Sequence, residues 1–109
     1  MLTHLNKFWT PERERCGVIL KNGEVMELPN RSATPETDFV LAVEDTDGLD
    51  AAASWHTHCH SSANLSTEDY MAFLSRPEWS HYIVTQTEVW GYYVRNGKVM
   101  VYEDEDATV

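Results

Sequence analysis

Residues 55–69 of the chain read WHTHCHSSANLSTED, and this stretch governs how the surrounding segments must fold. Side chains alternate between the two faces of an extended strand, so His56 and His58 project to the same side and can bind one metal ion. Ser66 and Asp69 follow with the spacing Ser-x-x-Asp, which predicts the N-cap and first turn of a helix. That turn can bring Asp69 back to the two imidazoles.

Two imidazoles and one carboxylate form a ligand set typical of catalytic zinc, because they leave the fourth tetrahedral position open for water. Zinc lowers the pKa of such a water to about 7, so hydroxide is available at neutral pH. We predict His56, His58 and Asp69 as the ligands. His60 continues the alternation and offers a three-histidine set as the alternative, and Cys59 adjoins a predicted ligand, so a contribution from either residue stays open.

The pattern His-x-His, seven intervening residues and then Ser-x-x-Asp resembles the signature of the JAMM metallopeptidases, also called MPN-plus or JAB proteins. That family also has a glutamate upstream, near the start of a strand. Residues 14–17, Glu-Arg-Cys-Gly, resemble the bacterial and phage form of this element. The resemblance covers about residues 10–95, with one departure, since the second histidine is often followed by proline and here by Cys59.

The resemblance implies an α/β fold with some likeness to cytidine deaminases, Zn²⁺ as the cofactor, and hydrolysis of a peptide or isopeptide bond. Glu14 is then the general base, which takes a proton from water and gives it to the leaving amine. Ser66 either caps its helix or stabilises the oxyanion, as the family resemblance implies. Glu12 is the fallback base, because it lies on the same face of an extended strand as Glu14.

The substrate is not encoded in these residues, and the candidates are a ubiquitin-like protein, a peptidoglycan peptide or a phage structural protein. JAMM-like domains also occur in phage tail assembly proteins. The alternative is therefore a catalytically idle module of the same fold that binds and assembles in a phage tail.

Amidohydrolase-type barrels are excluded, because a (β/α)₈ barrel needs about 200 residues or more and the chain has 109. A nucleoside deaminase would need a Pro-Cys-x-x-Cys pair, which the sequence lacks.

Length and charge narrow the function further. With 109 residues we expect one domain over residues 1–102 and a solvated acidic tail over residues 103–109. The 18 acidic and 8 basic residues give a net charge of -10, which disfavours nucleic acid as a partner. No apolar run approaches the roughly 20 residues of a membrane span, and no signal peptide is evident. We expect a cytoplasmic protein, located in the host cytoplasm or the virion tail if phage-encoded.

Hydrophobic patterns and turn signals predict the order of secondary structure. We expect helices over residues 2–9 and 66–76 and strands over residues 16–20, 25–28, 39–43, 51–58, 82–84, 89–94 and 99–102, with Asn-Gly turns at residues 22–23 and 96–97 and an acidic linker over residues 45–50. We expect Tyr70, Met71, Phe73 and Leu74 to share the buried side of the second helix, and Trp55 and Trp90 to lie in the core. These elements predict a single small α/β domain with a curved, mixed, mostly antiparallel sheet flanked by two or three helices.

Overall fold

The computed structural model describes residues 2–59 and 65–102, so the predicted acidic tail at residues 103–109 lies outside the described residues. Six strands form one sheet in the order β2-β1-β3-β4-β5-β6. The strands are β1 (Cys16–Leu20), β2 (Val25–Leu28), β3 (Ala51–Thr57), β4 (Ser80–Val84), β5 (Val89–Arg95) and β6 (Lys98–Val101). A 3₁₀ helix (Leu2–Phe8) precedes the sheet, α1 (Val43–Thr46) precedes β3, and α2 (Thr67–Leu74) joins β3 to β4.

The sheet is mixed because of one connection. Strands β3 and β4 pair in parallel, and α2 lies in the crossover that a parallel pair requires. The other neighbouring strands pair antiparallel. The prediction of a small α/β domain with a mixed, mostly antiparallel sheet is therefore confirmed. No helix within the two described ranges has the length and apolar character needed to cross a bilayer.

Both predicted hairpins form at their Asn-Gly turns. Asn96 and Gly97 have φ values of 54° and 75°, which match the two-residue turn that fits the right-handed twist of paired strands. Gly23 has a φ of 93° in the first hairpin, between β1 and β2. The local Asn-Gly sequences thus determine the two outer strand pairs of the sheet, β1–β2 and β5–β6.

The sheet is covered on both faces. On one face the 3₁₀ helix brings Leu5 against Trp55 and Val84. On the other face α2 brings Phe73 against Ile83 and Tyr92. Because side chains alternate along β3, Trp55 belongs to the first face and His56 to the face covered by α2.

The prediction of a strand over residues 39–43 is wrong. This segment pairs with no strand of the sheet, and α1 begins at its last residue. Its backbone bonds instead to the segment after β2, since the Val40 N–H donates to the Asn30 side-chain oxygen and the Val40 carbonyl accepts from the Arg31 N–H, both at 3.0 Å. Phe39, which gave the segment its strand-like appearance, stacks on the His56 ring at 4.1 Å. Phe39 therefore covers the site, and the apolar run does not extend the sheet.

Two further expectations are corrected. Phe73 is buried on α2, but Met71 is 62% exposed and Tyr70 37% exposed, because an eight-residue helix turns only a narrow stripe toward the sheet. The predicted acidic linker begins inside a helical turn, since α1 runs through Thr46. Asp45 in that turn accepts hydrogen bonds from both Nε and Nη2 of Arg31, at 2.8 and 2.9 Å.

Candidate metal centre

The end of β3 carries the two histidines to the same side of the sheet. His56 is fully buried and His58 nearly so. The His58 N–H donates to the Val84 carbonyl at 2.9 Å, so the strand geometry continues one residue beyond β3. The Phe39 ring lies against the His56 ring and restricts its rotation. The sheet therefore fixes the backbone at both histidines, and Phe39 fixes the ring of His56.

The first turn of α2 supplies the carboxylate. Ser66 is the N-cap, and its hydroxyl accepts a hydrogen bond from the Asp69 N–H at 3.0 Å. The Asp69 carboxylate accepts in return from the Ser66 N–H at 3.3 Å, which completes a capping box. Asp69 is 4% exposed. One carboxylate therefore both caps the helix and faces the histidines, as the sequence spacing predicts.

The three side chains meet at short range. The Nε2 atoms of His56 and His58 lie 3.1 Å apart. Asp69 Oδ1 lies 3.1 Å from His56 Nε2, and Asp69 Oδ2 lies 3.0 Å from His58 Nε2. Zinc–nitrogen bonds of about 2.0–2.1 Å would separate two ligand atoms of a tetrahedron by about 3.3–3.4 Å. The observed separations are a few tenths of an ångström shorter, so this donor set fits a small divalent cation.

The charges of the cluster also suit a cation. Burial lowers the pKa of His56 and outweighs the opposing effect of Asp69, so this imidazole is neutral and has a lone pair to offer. Burial opposes ionisation of Asp69, but hydrogen bonds from His56 and His58 outweigh it and hold the pKa of this carboxyl well below its usual range. His56 Nδ1 is buried and has no hydrogen-bond partner among the described residues, so the usual supporting contact of a ligating histidine is absent at this atom.

Glu14 lies opposite His58 where the pairing of β1 and β3 extends past Cys16. Its carboxylate and the two imidazoles offer donor atoms that all lie within 4.8 Å of one another. Glu14 is 8% exposed. Burial raises its pKa to about 7, with a smaller opposing effect from His58 and smaller raising effects from Asp69 and Asp38. Asp69 contacts both imidazoles at 3.0–3.1 Å, so the two histidines have a carboxylate from each side of the cluster within reach.

The cluster opens into a cleft of about 480 Å³. Five carboxylate residues line the cleft, and no lysine or arginine does so among the described residues; the acidic residues are Glu14, Glu36, Asp38, Glu68 and Asp69. Such a field attracts cations and repels phosphate groups. Ser66 also lines this cleft, and its hydroxyl can still donate while it accepts from the helix.

The segment between β2 and α1 forms one wall of the site, and sequence analysis missed its role. Asn30 donates from Nδ2 to the carbonyl oxygens of Glu14 and Asp38 at 2.8 and 3.0 Å. Its side-chain oxygen accepts from the backbone N–H groups of Ser32 and Val40, both at 3.0 Å. This amide connects Glu14 to the wall that carries Asp38 and Phe39, alongside the backbone hydrogen bond from the Glu14 N–H to the Pro35 carbonyl at 2.6 Å. Asn30 gave only a loop signal in the sequence.

The remaining predictions from the sequence concern Cys59, His60, Glu12 and the two tryptophans. Cys59 is buried and lines the cleft, but it does not belong to the cluster of Glu14, His56 and His58 in the described part of the chain. His60, and with it the three-histidine alternative, lies outside the described residues. Glu12 is exposed and does not line the cleft, so the fallback base is disfavoured. Trp55 is in the core as predicted, whereas Trp90 is 40% exposed.

Fold and cluster together define a small α/β domain with a buried His-His-Asp constellation at the end of its third strand. No family model matches the chain, and no curated protein matches it. Among solved structures the chain is similar to the solution structure of protein DSY2949 from Desulfitobacterium hafniense, with a TM-score of 0.63. The two share 22% sequence identity over 94% of this chain and 83% of that one. This likeness concerns the fold alone.

Proposed function

We propose that this chain is a zinc-dependent metallopeptidase of the JAMM type, which hydrolyses a peptide or isopeptide bond. One observation carries the proposal: Asp69 contacts both imidazoles at 3.0–3.1 Å while buried Glu14 lies beside them. Each of the motifs is common by itself. Their convergence in one acidic cleft is what a hydrolytic metal site requires.

His56, His58 and Asp69 are the residues that would hold the ion. Bound Zn²⁺ would supply Lewis acidity and an activated water, which is the nucleophile of hydrolysis. The chain has both imidazoles on a strand and the carboxylate in a helical turn, so the ligands come from two elements packed against each other. Their positions are preorganised by the sheet and the capping box rather than by flexible loops.

Glu14 is suited to act as general base and then general acid. A carboxyl group with a pKa of about 7 is partly ionised at neutral pH, so it can accept a proton from water and return it to the leaving amine. Burial is the main cause of this raised pKa. We propose that Ser66, which lines the same cleft, donates its hydroxyl hydrogen to the oxyanion that forms at the scissile carbonyl.

The acidic cleft favours a neutral or positively charged segment of polypeptide over a phosphorylated substrate. We therefore propose a protein or peptide substrate, namely a ubiquitin-like protein, a peptidoglycan peptide or a phage structural protein. Nucleic acid is not a proposed partner. We propose action in the cytoplasm, in association with a phage tail if the protein is phage-encoded.

The experiment is a comparison of Glu14→Gln with Glu12→Gln against a panel of isopeptide-linked, muropeptide and phage-protein substrates. We expect the zinc-loaded wild type and Glu12→Gln to cleave the same member of the panel. Glu14→Gln is expected to bind zinc with unchanged stoichiometry and to lose about 100-fold or more of the rate. Full activity in Glu14→Gln would exclude this residue as the base.

A second arm of this experiment separates catalysis from assembly. If the chain acts only as an assembly module, His58→Ala still supports tail assembly in a complementation assay and still binds its partner. If hydrolysis is the function, complementation by His58→Ala fails although the variant remains folded.

A further inference from the structure

A second cavity, distinct from the acidic cleft, lies between α1 and the C-terminal end of α2. Its volume is about 290 Å³, and its walls include the apolar side chains of Phe39, Val43, Phe73 and Trp79. Phe39 separates this cavity from the metal centre, because the same ring that lines the cavity stacks on His56. Val43 is 61% exposed, so the wall that α1 contributes reaches the surface.

The base of the cavity is polar, and its polar side chains form hydrogen bonds within the protein. Ser54 Oγ lies 2.7 Å from His81 Nδ1, and His81 Nε2 donates to the Arg76 carbonyl at 2.9 Å. This arrangement resembles a nucleophilic serine with its base. However, burial lowers the pKa of His81 to about 4, which makes it a weak proton acceptor at neutral pH. Ser54 and His81 therefore have a structural role at the base of the cavity. Their polar atoms are already hydrogen-bonded, so a ligand need not form hydrogen bonds to them.

Among the described residues that line the cavity, the only full charge is positive. Arg76 lines the cavity with its guanidinium 4.5 Å from the centre of the Trp79 ring. Its Nη2 donates to Thr46 Oγ1 at 3.3 Å, and its Nη1 lies 3.6 Å from a carboxylate oxygen of the exposed Glu78. A guanidinium has five N–H donors in a planar fork, more than these contacts use. No carboxylate lines the cavity among the described residues, although the chain has 18 acidic and 8 basic residues.

We propose that this cavity binds a small apolar carboxylate, with one ring or a short aliphatic chain between the apolar walls and the carboxylate on Arg76. Ligand cavities begin at about 300 Å³, so the available space suits a compact molecule. Arginine recognises carboxylates through paired N–H donors, and the aromatic wall behind the guanidinium holds its plane in place. The proposal does not depend on the metal centre, because none of its four ligand and base residues lines this cavity.

The test measures binding of 3-phenylpropionate and of its uncharged amide to the full chain by backbone and indole NMR. A chelator is present, so that the carboxylate does not register binding to a metal. We expect saturable shifts of the Trp79 indole and of the Ala72 and Arg76 amides, and at least about tenfold weaker binding of the amide. Equal affinity for acid and amide, no saturable binding at millimolar concentration, or shifts centred on His58 would each overturn the proposal.

Variants assign the effect to Arg76. Arg76→Gln is expected to weaken binding of the acid about tenfold or more and to leave binding of the amide unchanged. Arg95→Gln is the matched control, since it removes the same charge from an exposed position outside the cavity. Val43→Glu places a carboxylate at the exposed wall of the cavity. We expect this charge to repel the ligand carboxylate, so that binding of the acid weakens and binding of the amide does not. The variant thus tests the charge preference of the cavity without changing Arg76. Loss of acid binding in Arg95→Gln to the same extent would contradict a specific site.

Discussion

Gly17 is fixed by the two groups that enclose it in the centre of the sheet. A Cβ atom at this position would collide with the Met26 carbonyl oxygen and would lie 2.8 Å from two atoms of the Trp55 indole. Trp55 is fully buried, so neither group can move away cheaply. The glycine of the Cys-Gly pair at the start of β1 is therefore a packing requirement beside the site.

We expect Gly17→Ala to lower the free energy of unfolding by about 3 kcal/mol or more, because overpacking here involves backbone as well as a buried ring. Gly23→Ala is the control, since its Cβ would meet nothing within 4 Å and only its φ of 93° is unfavourable. That change is expected to cost about 1–2 kcal/mol. Urea denaturation of both variants measures the difference, and an equal cost would contradict the packing explanation.

His81 gives the protein a pH dependence that is separable from the metal centre. Burial lowers its pKa from 6.5 to about 4, so between these values the unfolded chain binds more protons than the folded one. The free energy of unfolding therefore falls as pH falls from 6.5 to about 4, by at most about 1.4 kcal/mol per pH unit from this group.

The measurement is the difference in unfolding free energy between the wild type and His81→Gln, in chelator, from pH 7 to pH 4. Groups common to both proteins cancel in this difference. The advantage of the wild type is expected to shrink as the pH falls. A difference that stays constant over this range would show that His81 does not titrate as its burial implies.

At the level of elements, α2 and the wall formed by the segment after β2 position the site together. Ser66→Ala removes the N-cap acceptor for the Asp69 N–H, and we expect a loss of about 1 kcal/mol in unfolding free energy. Thr67→Ala, in the same turn but without a cap contact, is expected to change stability by less than about 0.5 kcal/mol. Equal effects of the two variants in thermal denaturation would reject the capping role of Ser66.

Asn30 is the corresponding residue of the wall. Asn30→Ala removes four hydrogen bonds to backbone groups, and we expect a loss of about 1–3 kcal/mol because water can replace only part of them. Asn30→Asp keeps the acceptor for Ser32 and Val40 but loses the donors to Glu14 and Asp38. We expect the wall to move away from Glu14 in this variant, so that the backbone N–H of Glu14 loses its protection against hydrogen exchange. Unchanged protection in Asn30→Asp would contradict this function.

For the molecule as a whole, the sequence predicts those features of the fold and the site that depend on residues close together in the chain. Strand alternation places His56 and His58 on one face, and the capping pattern places Asp69 toward them. The Asn-Gly pairs locate both hairpins. The apolar run around Phe39 predicts a strand, because its local pattern is the same whether the run pairs with a strand or covers a ring. The connection from Asn30 to Glu14 depends on tertiary packing, which no local pattern encodes. The burial predicted for Met71 is wrong because a two-turn helix buries only a narrow stripe.

Metal analysis of the purified protein tests whether the constellation is a metal site. Equilibrium dialysis against Zn²⁺ followed by elemental analysis gives the stoichiometry for the wild type, Glu14→Gln, His58→Ala and Asp69→Ala. We expect about one zinc per chain in the wild type and in Glu14→Gln, and a strong loss in His58→Ala and Asp69→Ala, because each alanine removes one of the three proposed metal–ligand bonds. Zinc uptake that is absent from the folded wild type, or that is undiminished in Asp69→Ala, would contradict the assignment.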